Sequence, residues 1–216
     1  MSNIKEIINN ELTNETLRPI YLIFRDSIEV YKQLIQEEKE VFSGDYFDGF
    51  KGRLLGYVIN HAFNPKFLPN NFPFNIDVVN MSFNQKRPEL RKDNTVLTIA
   101  KVIESNTLPA KSKYKTEYAK GNSVFSRQLK FDLANNMEIK ELPVYGIITY
   151  QIKDDELLSL NIIFPSSNYN SIEEIIPIPL ISMVEPNINV DDSESILNKD
   201  SLKREVYNSL KLKSVK

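Results

Sequence analysis

The segment Leu108 to Asn122 reads Leu-Pro-Ala-Lys-Ser-Lys-Tyr-Lys-Thr-Glu-Tyr-Ala-Lys-Gly-Asn, with lysines set between tyrosines and hydroxyls. Lysines neutralise phosphates, and Tyr114 and Tyr118 offer ring faces on which bases stack, each stack worth about 1–3 kcal/mol in single-strand binders. The same four-residue spacing puts both rings on one side of a short helix, where they would pack inward instead. Residues 84–130 hold 11 Lys and Arg against 4 Asp and Glu. The candidate phosphate-binding set is therefore Lys86, Arg87, Arg91, Lys92, Lys111, Lys113, Tyr114, Lys115, Tyr118, Lys120 and Arg127, a cluster able to draw in a polyanion before specific contacts form. Residues 131–198, with 2 basic against 12 acidic groups, and residues 1–50, with 5 against 10, are the segments that would cancel this charge if folding set them beside it.

Other chemistries find less support. Gly49-Phe50-Lys51-Gly52 resembles the Gly-x-x-Gly loop of KH domains, in which two glycines let the backbone approach phosphates. Gly49, Gly52 and Gly56 also share one helix face, where close packing of another element is the plainer expectation. A restriction-type nuclease needs an acidic-x-Lys pair beside a further carboxylate to hold Mg and polarise water; Glu138-Ile139-Lys140 has that form, with Asp77 or Asp93 as the second acid. His61 is the one imidazole, and its place near a helix end favours a structural role over a catalytic one. With no Cys and one His, thiolate nucleophiles, disulfides and sulfur or multi-His metal sites are excluded. No Walker loop, dinucleotide fingerprint or Gly-x-Ser-x-Gly occurs, so no catalytic residue, cofactor or metal is assigned.

The elements that must position these residues follow from hydrophobic spacing. In a chain of 216 residues, 41% hydrophobic with a net charge of -2, one larger domain with an appendage is expected. Leu17, Ile20, Tyr21, Phe24, Ile28, Tyr31, Leu34 and Ile35 predict an amphipathic helix between Thr13 and Val41, with Pro19 in its first turn and Asn14 or Thr16 capping it. A short helix is expected before it, and a second long one from Asp45 to about Phe63, ended by Asn64-Pro65. Strands are expected over 74–81, 95–103 and 126–133; Val144–Ile152 and Leu157–Phe164 predict a hairpin, and 174–181 an edge strand limited by Pro177 and Pro179. The result is an α+β protein: N-terminal helices on a mainly antiparallel sheet of five or six strands, with residues 1–186 as one domain, 187–198 as an acidic linker and 199–216 as a basic helix.

Pro88 to Asn94, Lys111 to Lys115 and Asn122 to Leu129 are similar to segments of uncharacterised bacterial and phage proteins, a resemblance covering the middle third and implying no activity. The function expected from the residues themselves is non-catalytic binding of nucleic acid or another polyanion through 84–130. Two alternatives are a protein-interaction or inhibitor module of a mobile element using the C-terminal helix, with its stripe Leu202, Val206 and Leu210, or the acidic 131–198 surface, and a Mg-dependent nuclease or phosphodiesterase. The polar opening residues and the lack of a long apolar run predict a cytoplasmic protein without a membrane partner; oligomeric state is not readable.

Overall fold

The computed structural model describes residues 4–42, 45–81, 85–125, 142–180 and 195–213. Helices α1 (Ile4–Glu11), α2 (Asn14–Glu37), α3 (Lys39–Phe42) and α4 (Asp45–Ala62) come first, and α6 (Lys199–Lys213) closes the described chain. Between them lie β1 (Asn75–Asn80), β2 (Lys86–Lys92), β3 (Thr95–Lys101), α5 (Lys113–Ala119), β4 (Val144–Lys153), β5 (Glu156–Pro165) and β6 (Ile172–Pro177). This is the expected α+β class. None of the described helices is long and apolar enough to cross a membrane.

Helix α2 begins where Thr13 caps it, the Thr13 Oγ1 accepting the Thr16 N–H. Pro19 therefore falls in the second turn rather than the first, because the helix starts five residues ahead of it. A proline there forfeits the bond to the carbonyl of Glu15, a residue exposed to water that can take over the acceptor. One face of α2 is buried through Leu17, Ile20, Phe24, Tyr31 and Leu34, matching the expected stripe. Helix α4 is continuous through its glycines. Nothing lies within 4 Å of a side chain added at Gly49, and Gly52 meets only the Lys101 Nζ, so these two glycines do not serve close packing. Gly49 and Gly52 also lie within a helix rather than in a loop between two helices, which removes the likeness to a KH phosphate loop.

The sheet runs in the order β1-β2-β3-β4-β5-β6. All neighbours are antiparallel except β3 and β4, which pair parallel from Thr95 opposite Val144 to Lys101 opposite Tyr150. Parallel neighbours need a crossover, and the long connection after β3 supplies it, carrying α5 and a 3-10 helix, Lys120–Phe125. The β4–β5 hairpin and the edge strand β6 appear as expected; β6 spans Ile172–Pro177 rather than beginning at Glu174. The strand expected over 126–133 lies outside the described residues.

Strand β2 is the element that hydrophobic spacing did not reveal. Its residues, Lys-Arg-Pro-Glu-Leu-Arg-Lys, are mostly charged and include a proline. Pro88 is tolerated because β2 pairs with β3 only from Leu90 to Lys92, so no ladder bond toward β3 is required of it.

Alternation divides the sheet into two faces. Leu90, Leu97, Ile148, Tyr150, Ile162 and Phe164 face the helices and join the main core with Phe24, Leu54, Val58, Ile59 and Phe63. The other face holds a smaller cluster, Val96, Ala119, Tyr145, Ile147 and Tyr169, roofed by α5. Helix α6 lies against α2 and α4, with Leu202 and Val206 fully buried. Ion pairs Lys199–Glu29 and Lys203–Glu37, both at 2.6 Å, fix it to α2. Ser195 Oγ donates to the buried Asp26 Oδ2 at 2.9 Å just ahead of it. The apolar stripe of the terminal helix thus docks within its own chain.

Candidate polyanion interface

The site grows from the odd-numbered side chains of β2. Arg87, Glu89 and Arg91 project from one face, beneath α5, and Glu89 is fully buried. Arg87 Nη2 donates to Glu89 Oε1 at 2.7 Å, Arg91 Nη2 to Oε2 at 2.8 Å, and the Tyr118 hydroxyl to Oε1 at 2.7 Å. Asp77, the cross-strand neighbour of Glu89, stands 2.6 Å from Arg91 Nε. Burial alone would push the Glu89 carboxyl up; the hydrogen bonds from Arg87, Tyr118 and Arg91 outweigh it and hold the group below the usual carboxylate range.

Above this carboxylate sits an aromatic stack. The Arg87 guanidinium lies 3.5 Å from the centre of the Tyr114 ring and 5.8 Å from that of Tyr118. Tyr114 meets Tyr118 edge-on at 6.3 Å, and Tyr118 leans on Tyr145 at 5.3 Å. Both rings pack toward the sheet, as their four-residue spacing allows, and Tyr114 remains half-buried beside solvent. Lys115 is 8% exposed, donates to the Ala110 carbonyl at 2.7 Å and stands 5.9 Å from the Tyr114 ring. Burial and then the charge of Arg87 push its ammonium pKa down.

The platform beneath is rigidly tied. Asn122 donates its amide hydrogens to the carbonyls of Tyr145 and Pro165 and accepts the Tyr145 N–H, which uses three of its four hydrogen-bonding positions on backbone. Beside it, a side chain at Gly121 would come within 2.2 Å of the Pro143 carbonyl oxygen, so only glycine fits. Tyr169, at φ 58, donates its hydroxyl to the Pro109 carbonyl, and Lys111 Nζ reaches the Asn168 carbonyl and Asn170 Oδ1 at 3.3 Å each.

Of the residues singled out by sequence, Arg87, Arg91, Tyr114, Lys115 and Tyr118 come together here, with exposed Lys111, Lys113 and Lys120 on or beside α5. Lys120 pairs with Glu117 at 2.7 Å; among the described residues Lys113 has no carboxylate partner. Lys86 and Lys92 belong to the opposite set of β2 side chains, and Lys92 Nζ donates to Thr16 Oγ1 of α2. Arg127 lies outside the described residues. Glu89 was missed because 86–92 lacks apolar alternation; the visible signal was Arg87, Glu89 and Arg91 at steps of two, a charged row on one face of a strand.

The nuclease reading finds one candidate for its second carboxylate already engaged, since Asp77 is paired with Arg91. Asp93 is exposed in the β2–β3 turn at φ 44, and Glu138 and Lys140 lie outside the described residues. Among the described residues no three His, Asp or Glu side chains gather closely enough to hold a metal ion. His61 bridges α4 to α6 through Glu205 at 2.9 Å and stacks on Tyr57, a structural placement. The chain matches no family model, no curated protein and no solved structure.

Proposed function

We propose that the protein binds a polyanion, with nucleic acid as the class, through the α5 surface centred on Tyr114 and Arg87. The observation that carries this reading is the gathering of cations from two separate segments around one aromatic ring. Arg87 and Arg91 share the buried Glu89, Asp77 also pairs with Arg91, and Lys115 is close enough to feel the charge of Arg87. Lys111, Lys113 and Lys120 add exposed positive charge on or beside α5. A cationic rim beside a half-exposed ring suits phosphates with a stacked base between them.

Binding is tested by fluorescence anisotropy with single- and double-stranded DNA and RNA at two salt concentrations, with and without Mg. Lys111→Ala, Lys113→Ala and Lys120→Ala are combined; Lys115 is left alone because its buried head would couple binding to stability. The triple variant is expected to bind more weakly and to lower the slope of log affinity on log salt by about 2–3, given roughly 0.7–0.9 for each of three lost phosphate contacts. An equal loss in a variant changed at exposed Lys32, Lys39 and Lys153, or no binding by the native chain at low salt, overturns the reading. Cleavage in Mg would replace it with the enzyme reading.

A further inference from the structure

We infer that Glu11 and Thr95 hold a monovalent alkali cation where α1 meets the β2–β3 turn, on the helix side of the sheet. Both residues are buried, at 7% and 1% exposure. Glu11 Oε1 accepts the Asn94 N–H at 3.2 Å, and this contact brings the carboxylate to the residue that directly precedes Thr95. Glu11 Oε2 and Thr95 Oγ1 are shielded from solvent, and among the described residues neither has a hydrogen-bond partner. Thr95 lies on the same face of β3 as Leu97, which joins the helix-side core, so its hydroxyl and the Glu11 carboxylate belong to one side of the sheet.

A buried oxygen left without a partner costs free energy, and buried charges are normally paired or bound to a metal ion. The neighbours of Glu11 do not pair it. Lys92 Nζ donates instead to Thr16 Oγ1, and among the described residues no cationic side chain makes an ion pair with Glu11. The Thr16 N–H at the start of α2 is taken by Thr13 Oγ1. Glu11 also ends α1, whose last turn has no basic residue, so the negative end of that helix dipole adds to the carboxylate charge. A bridging water would satisfy both oxygens and leave the charge uncompensated; a cation satisfies both and cancels it.

The charge of the ion follows from its ligands. Calcium draws about six to eight oxygens, usually several of them from carboxylates, and magnesium keeps most of its waters. Among the described residues no three His, Asp or Glu side chains gather, so the corner offers one carboxylate and one hydroxyl. That set suits a single positive charge, as of sodium or potassium. The bound ion ties α1 to the turn that carries Asn94 and Thr95.

Thermal melts of the full chain are recorded in choline chloride and in sodium or potassium chloride at one ionic strength, so that screening stays constant. Replacing choline by the alkali cation is expected to raise the melting temperature along a one-site curve, because a ligand bound only to the folded state stabilises by RT ln(1 + [L]/Kd). Glu11→Gln is expected to abolish the rise. Thr95→Val keeps the carboxylate and should move the rise to higher cation concentration, while Lys92→Gln removes a nearby like charge and should move it to lower. Glu15→Gln, an exposed acid on α2, should leave it unchanged. The comparison of salts on the native chain needs no variant to fold. Equal melting in choline and in both alkali salts, or the same rise in Glu11→Gln, overturns the inference and leaves a bridging water only. The samples contain no oligonucleotide, so neither outcome bears on polyanion binding.

Discussion

Glu89 decides more at this site than any lysine. Its carboxylate gathers Arg87, Arg91 and the Tyr118 hydroxyl, and through them joins β2 to α5. Removing one partner of a buried ion pair typically costs about 3–5 kcal/mol, because the remaining charges stay buried without compensation. Glu89→Gln is therefore expected to lower the melting temperature more than Asp77→Asn, whose carboxylate is exposed. The pH dependence carries a sign. The folded-state pKa lies below the ordinary carboxylate value, so the stabilisation is complete above that value and is lost as pH falls through the depressed one. Denaturant titrations over the acid range should show the native chain losing stability faster than Glu89→Gln; parallel curves would mean that Glu89 is not the group being titrated.

Elements with regular apolar spacing were legible from sequence, and those held by polar bonds were not. Helix α2 and the β4–β5 hairpin follow from period alone, since Phe24 and Tyr31 or Ile148 and Ile162 must reach one core. Strand β2 hides because its second face carries charges satisfied by one another, so alternation of polarity never appears. Of the candidate site, the Tyr114–Tyr118 pair and the importance of Arg87 could be read; the split of β2 into two faces, which removes Lys86 and Lys92, required the register. Helix α6 shows the same limit, because its basic, tethered sequence leaves its docking surface open. The structure seats Leu202 and Val206 against α2 and α4, and Glu205 meets both His61 and Lys66. Leu202→Ala should cost about 2–5 kcal/mol. Removal of residues 199–216 should destabilise the remaining chain in a urea titration, whereas an unchanged midpoint would mean that the helix serves only an outside partner.

The molecule as a whole has two unequal layers on one sheet. The helix side closes over a broad apolar core, while the α5 side rests on a small cluster and on polar bonds from Glu89, Asn122 and Tyr169. Polar contacts contribute less net stability than apolar burial, and a layer held mostly by them opens below the global unfolding free energy. Amide hydrogen exchange should therefore rank the central residues of β4 and β5 as most protected and 113–122 as less so. Glu89→Gln should accelerate exchange in α5 beyond its effect on α2. If α5 exchanges at the same free energy as β4, the two layers unfold as one and this division fails. The ranking also bears on the proposed interface, which occupies the less stable layer. A ligand that binds only when α5 is seated adds RT ln(1 + [L]/Kd) to the closed form, about 2.7 kcal/mol at a hundredfold excess over Kd. A bound oligonucleotide should slow α5 exchange by up to that amount while leaving α6 unchanged, and this pattern would locate the binding surface independently of any lysine substitution.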